Sequence, residues 1–398
     1  MRQKNITTVV ADNRLAADTI ARAIGANERH DGYYLGNGYA VTWTNGNIIE
    51  ATFKPGESFI TSSNMDARLM YAHHFDFAMR DYDSLVGYKK SKQDTRQLDT
   101  IRSLWEMSHT VVNAMYPSFE GELQFLNLYW YLRRPVNVRR AWIPVMTNAT
   151  IRHAVKHGPA DRREHEDWLQ GEIISFFLER FTDAMKALAS MPEEEIMEAF
   201  TEEELCGIKD GLQNMADAFG TAAPECEPAP EVSEDGRHIY DGNIHIEIVD
   251  NPNLMNTALL VAYAQSELGF DEAKTKRVAL TLYAKKLISF PLVIQNSIPF
   301  GVWKKMRHNM RMLRYNRKWG QSVKSGRLSQ HCIYRDGECV YNGFGIVTTG
   351  LHPTDLTRDE ERLYNLIVRR VIDTFTPKKN RKKRKQGRRN PGKTRKIA

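Results

Sequence analysis

An acidic stretch near the middle of the chain divides the sequence into two parts. Residues 191–247 contain sixteen Asp and Glu residues but only two Lys and Arg residues. Within this stretch, residues 221–236 (TAAPECEPAPEVSEDG) are rich in Pro and Ala and poor in large apolar side chains. Such a composition buries too little apolar surface to offset the entropy that ordering costs. We therefore predict an acidic linker over residues 191–237.

The positive charge of the chain is concentrated at its C-terminal end. Residues 378–398 contain twelve Lys and Arg residues and no carboxylate, and Lys382, Lys383 and Arg384 lie in the densest part. Subtracting these cations from the net charge of +7 leaves −5 for residues 1–377. Because like charges repel, we predict a disordered basic tail. It is either an arm that binds nucleic acid or a solubilising terminus, and its charge favours the arm.

The remaining composition argues against membrane-bound and disulfide-stabilised proteins. No stretch approaches about 18 consecutive apolar residues, and the N-terminus lacks the pattern of a signal peptide. The four cysteines are few and scattered, which favours a reducing compartment over a disulfide framework. At 398 residues, the chain is long enough for two or three domains. We expect a cytoplasmic, nucleoid-associated protein without a membrane partner.

The N-terminal part alternates between strand and helix patterns. The β-branched run at 6–11 leads into an amphipathic stretch, in which we predict that Leu15, Ile20 and Ile24 share one helical face and that Gly25 ends the helix. Alternating apolar residues at 32–43 and 47–53 then predict strands.

A second alternation follows. We predict a buried strand at 110–117, a helix from Glu120 to Leu132 and a further strand at 138–145. This order indicates an α/β domain with a largely parallel sheet over residues 1–158, followed by a helical segment at 159–190.

Carboxylates stand where the predicted strands end. Asp12 follows the first strand, and the sequence Glu120-Gly121-Glu122 follows the strand at 110–117. Ligands of parallel sheets bind at the carboxyl ends of the strands. These carboxylates are therefore the candidate site residues of the N-terminal part.

The C-terminal part, residues 238–377, is predicted to be mainly helical. Residues 252–288 read as a helix, a Gly-containing turn and a second helix with Asp271 as its N-cap. This pattern fits a winged-helix-like element and a plain helical pair equally well.

A basic segment with interspersed aromatic residues follows at 302–320, and it contains no acidic residue. Cations that contact phosphates and rings that stack on bases suit single-stranded DNA. The alternative is a solvated helix face whose aromatic residues pack inward. The candidate DNA-binding residues are Trp303, Lys304, Lys305, Arg307, Arg311, Arg314, Tyr315, Arg317, Lys318 and Trp319.

Eight fragments of the sequence, between residues 9 and 375, together carry a resemblance to a known protein family. They are VVADNRLAADTIARAIGA (9–26), GNGYAVTWTNGNIIE (36–50), AMYPSFEGEL (114–123), RRAWIPVMTNATIRHAVKHG (139–158), DWLQGE (167–172), TKRVALTLYAKKLISFP (275–291), GFGIVTTG (343–350) and RDEERLYNLIVRRVIDTF (358–375). In this order they resemble type IA DNA topoisomerases, particularly the topoisomerase III branch. The resemblance implies a Toprim-like domain at 1–158 and a nucleophile-domain-like, winged-helix-like DNA-binding domain at 238–377. It also implies a magnesium-assisted attack of a tyrosine on a DNA phosphate.

Most residues that carry this chemistry in the family are replaced here. Asp12 stands at the position of the family's catalytic glutamate and is one methylene shorter. Tyr116 and Ser118 stand at the metal-binding aspartates, which leaves Glu120 and Glu122 as the carboxylates of that motif. The two glutamates could hold Mg²⁺ weakly, but we expect no tight cofactor site. Alternatively, they stabilise the first turn of the following helix.

The supporting positions differ as well. Asn13 stands at the family's lysine, and Ser297 stands where the nucleophilic tyrosine is expected. Gly343 and Phe344 occupy the region of a supporting histidine. The family's long β-rich segments around the nucleophile domain are also short or missing, so we expect a truncated protein without a closed ring.

Three functions remain open. The first is a DNA-binding, catalytically inactive topoisomerase-like protein, with an accessory role in DNA topology or in the processing of mobile elements. The second is an active type IA topoisomerase with a rearranged site, for which Tyr315 is a candidate nucleophile. The third is a protein-interaction module without a DNA function. The expected partners are DNA, single-stranded or as a junction, and a protein of DNA processing.

Overall fold

The computed structural model describes most of both predicted parts of the chain. The described residues are 6–54, 66–80, 82–83, 88–89, 91–159, 162–189, 231–232, 238–241, 244–247, 252–315, 318–321, 323, 332–334 and 343–376. Most of the predicted acidic linker, the basic tail with Lys382, Lys383 and Arg384, and Arg317 lie outside these ranges. Among the described residues, no helix has both the length and the apolar character needed to span a bilayer.

The N-terminal part contains ten strands and six helices among the described residues. In chain order they are β1 (Ile6–Ala11), α1 (Arg14–Ile24), β2 (Glu28–His30), β3 (Tyr33–Gly36), β4 (Tyr39–Trp43), β5 (Ile49–Phe53), α2 (Ala67–His74), β6 (Phe75–Met79), β7 (Tyr82–Asp83), β8 (Tyr88–Lys89), α3 (Lys92–Met107), β9 (Ser108–Asn113), α4 (Phe119–Leu132), β10 (Asn137–Arg140), α5 (Asn148–His157) and α6 (Arg162–Ala189).

The C-terminal part is mainly helical. Its described elements are β11 (Glu231–Val232), β12 (His238–Asp241), β13 (Ile244–Glu247), α7 (Thr257–Leu268), α8 (Glu272–Ala284), β14 (Ile298–Pro299), α9 (Phe300–Tyr315), β15 (Ile333–Tyr334) and α10 (Arg358–Phe375). The predicted helix pair is present as α7 and α8, with Asp271 as the N-cap of α8. Strand β11 lies within the predicted linker, and its Val232 pairs with Ile239 of β12.

A six-stranded sheet organises the N-terminal part, in the order β10-β9-β1-β4-β3-β2. Strands β10, β9, β1 and β4 are parallel, whereas β3 and β2 are antiparallel additions at one edge. The predicted mixed α/β fold with a parallel-strand sheet and a helical region is therefore confirmed. Since β1, β9 and β10 run in the same direction, Ala11, Asn113 and Arg140 end at the same edge of the sheet. The candidate site lies beyond this edge.

The local sequence determines where helix α1, which follows β1 at this edge, begins and ends. The side chain of Asn13 accepts a hydrogen bond from Ala16 N at the start of the helix, and Gly25 ends it with a φ of 82°. Ile20 and Ile24 are buried as predicted, but Leu15 is 39% exposed. The prediction of one shared face is wrong for Leu15, because five residues correspond to a rotation of about 140° from Ile20.

Two strands are shorter than the sequence indicates. The predicted strands at 110–117 and 138–145 end at Asn113 and Arg140. Both runs contain a proline, Pro117 and Pro144, whose missing N–H group disfavours continued pairing. The residues after each strand therefore form the loops that surround the candidate site.

The two parts of the chain share one hydrophobic core. It joins α1 and α5 of the N-terminal part to α7, α8, α9 and α10 of the C-terminal part. The hydroxyl of Thr19 donates to the carbonyl of Ala284 at 3.0 Å, and the buried hydroxyl of Tyr283 donates to the carbonyl of Ile143. The end of α8 is thereby held against α1 and the loop beyond β10.

Candidate functional site

Asp12 is enclosed by protein at the end of β1. Its exposed fraction is 2%, and neither carboxylate oxygen accepts a hydrogen bond from a described side chain. Burial raises the pKa of Asp12 well above its usual 3.8, although the charge of Arg140 and the backbone N–H groups of Asp12 and Tyr116 act in the opposite direction. These surroundings favour the neutral, protonated form of the Asp12 carboxyl group.

Tyr116 fills the space beside Asp12. Its hydroxyl accepts a hydrogen bond from Nδ2 of Asn13 at 2.6 Å. Its ring packs against the rings of Tyr283 and Phe290 from the C-terminal part, with centroid distances of 6.3 and 5.4 Å. Burial and the nearby Asp12 raise the pKa of the Tyr116 phenol far above its usual value. Aromatic side chains from both parts therefore close the position that the resemblance assigns to a metal.

Ser118 has a structural role at the start of α4. Its side chain is the N-cap and accepts a hydrogen bond from Gly121 N at 3.3 Å. A Cβ atom at Gly121 would lie 2.2 Å from the carbonyl oxygen of Tyr116. The helix can approach this carbonyl so closely only because the residue between the two glutamates is glycine.

Glu120 and Glu122 face different surroundings. Both lie in the first turn of α4, but residues two positions apart on a helix do not face each other. Glu120 is exposed, whereas Glu122 is 7% exposed. The structure therefore does not bring the two glutamates together as a metal-binding pair. Among the described residues, no group of three or more His, Cys, Asp or Glu side chains is arranged to hold a metal ion.

The Glu122 carboxylate forms a buried ion pair with Arg140, which was not predicted from the sequence. One of its oxygens accepts hydrogen bonds from Nε of Arg140 and from Nε2 of His165, the latter at 3.3 Å. The other accepts from Nδ2 of Asn113 at 3.0 Å. Burial would raise the pKa of Glu122, but the charge of Arg140 and the contacts with His165 lower it below its usual 4.5. The only sequence signal was a polar residue, Asn113 or Arg140, inside each of two predicted strands.

Ser297 lies in the loop before β14. Its carbonyl oxygen accepts a hydrogen bond from Gly345 N at 2.7 Å, which ties the loop to the segment after residue 343. Within the described part of the chain, no histidine or carboxylate hydrogen-bonds to the Ser297 hydroxyl. Phe344 is 7% exposed and belongs to the shared core. The position of the expected nucleophile therefore has no neighbouring general base in these ranges.

Helix α9 carries the candidate nucleic-acid surface. Its exposed cations are Lys304, Lys305, Arg307, Arg311 and Arg314. Tyr315, at its C-terminal end, is 77% exposed. Lys318 is also exposed but forms an ion pair with Glu361 at 3.0 Å. Trp319 is partly buried against the core.

Trp303 is an exception among the candidate residues. It is 4% exposed, and its ring packs against Phe375 with a centroid distance of 5.4 Å. The prediction that this ring stacks on bases is wrong, because residues 303, 306, 310 and 313 form the buried apolar stripe of α9. The neighbouring cations of α9 lie outside this stripe and are exposed.

The closed surroundings of Asp12 predict an unusual dependence of stability on pH. The folded protein keeps a proton that the unfolded chain releases as the pH rises above about 4. The contribution of Asp12 to the free energy of unfolding therefore falls as the pH rises from about 4 through its raised pKa. Asp12→Asn lacks this loss, so its stability relative to wild type should be greater at pH 8 than at pH 4 in urea unfolding.

An exposed aspartate on α3 provides the control. Asp99→Asn should show a small, nearly constant difference from wild type between pH 4 and pH 8. The same flat difference for Asp12→Asn would show that its carboxyl group is not held in an environment that favours its neutral form.

The chain is similar in sequence to two DNA topoisomerases. No protein-family model matches the chain. It is 19% identical over 405 aligned positions to DNA topoisomerase 3 of Staphylococcus saprophyticus, an alignment that covers 93% of this chain and 55% of that protein. It is 27% identical over 140 positions to DNA topoisomerase 1 of Methanothermobacter thermautotrophicus, covering 34% of this chain and 19% of that protein. The chain thus spans about half the length of the staphylococcal relative.

A solved structure of full-length topoisomerase I from Thermotoga maritima aligns with 92% of this chain and 61% of its own length, with a TM-score of 0.47 and 15% sequence identity. The sequence similarity to the two curated enzymes agrees with the order of motifs along the chain. In sequence, this chain is topoisomerase-like: it is similar to DNA topoisomerase 3 over most of its length and to DNA topoisomerase 1 over about a third of it.

Proposed function

We propose that this protein binds DNA without cleaving it and has an accessory role in DNA topology or in the processing of mobile elements. The observation that carries the proposal is the closed end of β1, where Tyr116 packs against Tyr283 and Phe290 beside a buried Asp12. DNA cleavage of the type IA kind needs an accessible acid or base and a phosphate held close to it. Asp12 is 2% exposed, which argues against an accessible acid or base at this position.

The remaining residues of the motif support an inactive site. Glu122 is neutralised by Arg140, and releasing its carboxylate for a metal would leave a buried guanidinium unpaired. The Ser297 hydroxyl lacks a general base among the described residues, and an unassisted serine is a poor nucleophile. An accessory function needs only binding.

An active enzyme with a rearranged site is the second candidate. The observation in its favour is Tyr315, which is 77% exposed at the end of α9, next to exposed cations. A phenol among cations could approach a phosphate. However, no described aspartate or glutamate contacts Tyr315 to hold a metal or to take up its proton.

The proposed DNA surface is the exposed face of α9. Lys304, Lys305, Arg307, Arg311 and Arg314 give it an uninterrupted positive charge, and Tyr315 adds a ring that can stack on a base. The cations of the tail, including Lys382, Lys383 and Arg384, would add phosphate contacts without sequence preference. Single-stranded and junction DNA are the proposed forms, because their unpaired bases are open to stacking.

Incubation with negatively supercoiled plasmid and Mg²⁺ separates the two candidates. We expect no relaxation, no nicking and no protein–DNA adduct that survives denaturation, with an active type IA topoisomerase as the positive control. An adduct that is lost in Tyr315→Phe or in Ser297→Ala would establish the second candidate instead.

Charge removal on α9 tests DNA binding. Replacing Lys304, Arg307 and Arg311 with Gln should weaken binding of a single-stranded oligonucleotide. It should also flatten the dependence of log affinity on log salt by about 0.7 for each phosphate that the variant no longer neutralises. Fluorescence anisotropy at several salt concentrations measures both quantities.

The matched control removes the same charge elsewhere. Lys92, Arg96 and Arg102 are exposed on α3, and their replacement with Gln should leave the salt dependence nearly unchanged. Equal effects of the two triple variants would show that net charge, rather than the α9 surface, governs binding. Absence of any binding at low salt would favour the protein-interaction function.

A further inference from the structure

A second region at the same edge of the sheet remains open. A cavity of about 430 Å³ lies between α4 and α6, where Asn113 and Arg140 end β9 and β10. Sites for small molecules typically enclose about 300–1,000 Å³, and in parallel sheets they lie at the carboxyl ends of the strands. The cavity therefore has both the size and the position of a ligand site.

The floor of the cavity is polar and fixed. It is formed by Glu122, Arg140 and His165, whose exposed fractions are 7%, 8% and 2%. The ring of His165 lies against Trp142 at a centroid distance of 5.4 Å, and Arg140 lies over the same indole at 4.8 Å. Contacts within the protein therefore fix the positions of the side chains that form the floor.

The walls are apolar and rich in rings. Phe125 comes from one turn of α4, and Tyr129 and Trp130 come from the next; Leu169 and Ile173 line the cavity from α6. Tyr129 and Trp130 meet edge to face at 5.1 Å. Flat aromatic ligands pack well against such surfaces.

The mouth of the cavity carries one guanidinium without a described partner. Arg68 lies between Glu166 and Asp66, at 2.5 and 3.8 Å. Arg162 lines the same cavity as the first residue of α6 and makes no ion pair with a described residue. It stands at the positive end of the α6 dipole, where an anionic group is stabilised.

We propose that this cavity binds a planar aromatic anion of the size of a nucleoside 5′-monophosphate. The ring lies against Phe125, Tyr129 and Trp130, and the phosphate is bound by Arg162 and the first turn of α6. Such a group is supplied either by a free nucleotide or by the 5′-phosphorylated end of a DNA strand. The proposal is independent of the α9 surface and of whether the protein cleaves DNA.

Calorimetric titration of the full-length protein with AMP and dTMP tests the site. We expect saturable binding that Arg162→Gln weakens by about tenfold, the size expected when one charge-assisted hydrogen bond is removed. Adenosine, which lacks the phosphate, should bind with the same affinity to wild type and to Arg162→Gln. The control is Arg163→Gln, because the neighbouring Arg163 side chain is 93% exposed and does not line the cavity.

A second variant addresses the cavity itself. Leu123 lines the cavity from α4 and is only partly buried, so Leu123→Trp fills space with little disturbance of the core. It should abolish AMP binding while thermal unfolding stays cooperative. Competition between AMP and a 5′-phosphorylated oligonucleotide, but not its 5′-hydroxyl form, would identify a strand end as the source. Absence of competition would identify the free nucleotide.

Two results would overturn the proposal. One is the absence of saturable binding of AMP and dTMP at millimolar concentration. The other is an equal loss of affinity in Arg162→Gln and Arg163→Gln, because this would place the phosphate outside the cavity.

Discussion

The buried guanidinium of Arg140 holds the candidate site together. Besides its ion pair with Glu122, it donates hydrogen bonds to the carbonyl oxygens of Asn113, Met115, Tyr116 and Ala141, at distances between 2.7 and 3.1 Å. Buried carbonyl groups without partners are costly, and Arg140 supplies donors to these four, two of which also accept from the backbone N–H groups of Ala141 and Ser118. One side chain therefore fixes the end of β9, the following loop, the start of α4 and the start of the chain beyond β10.

The contacts of Arg140 determine the surroundings of the carboxylates of the site. Glu122 is used to neutralise Arg140, so it is not available to a metal ion. The loop fixed by Arg140 presents the ring of Tyr116 to Tyr283 and Phe290 of the C-terminal part. Asp12 lies behind these rings, where solvent does not reach it. The hydrogen bonds of Arg140 that fix the loop therefore also help to bury Asp12 at the end of β1. The cavity beyond β9 and β10 stays open.

Much of the fold could be predicted because it follows local rules. The capping of α1 by Asn13 and Gly25, and of α8 by Asp271, is encoded in adjacent residues. The contacts of the site are of another kind, because Arg140 and Glu122 are eighteen residues apart and His165 is forty-three from Glu122. Periodicity could not place them together. The burial of Trp303 was predictable from its spacing to Met306 and Met310, but its neighbouring cations favoured an exposed position.

The central claim is that the end of β1 is closed and does not bind a divalent metal tightly. Calorimetric titration of the wild-type protein with Mg²⁺ at low ionic strength tests it most directly, with Glu120→Gln and Glu122→Gln measured alongside. The account predicts no saturable heat at micromolar Mg²⁺ for any of the three proteins. Saturable binding of about one Mg²⁺ per chain at micromolar concentration, lost in Glu122→Gln, would contradict it.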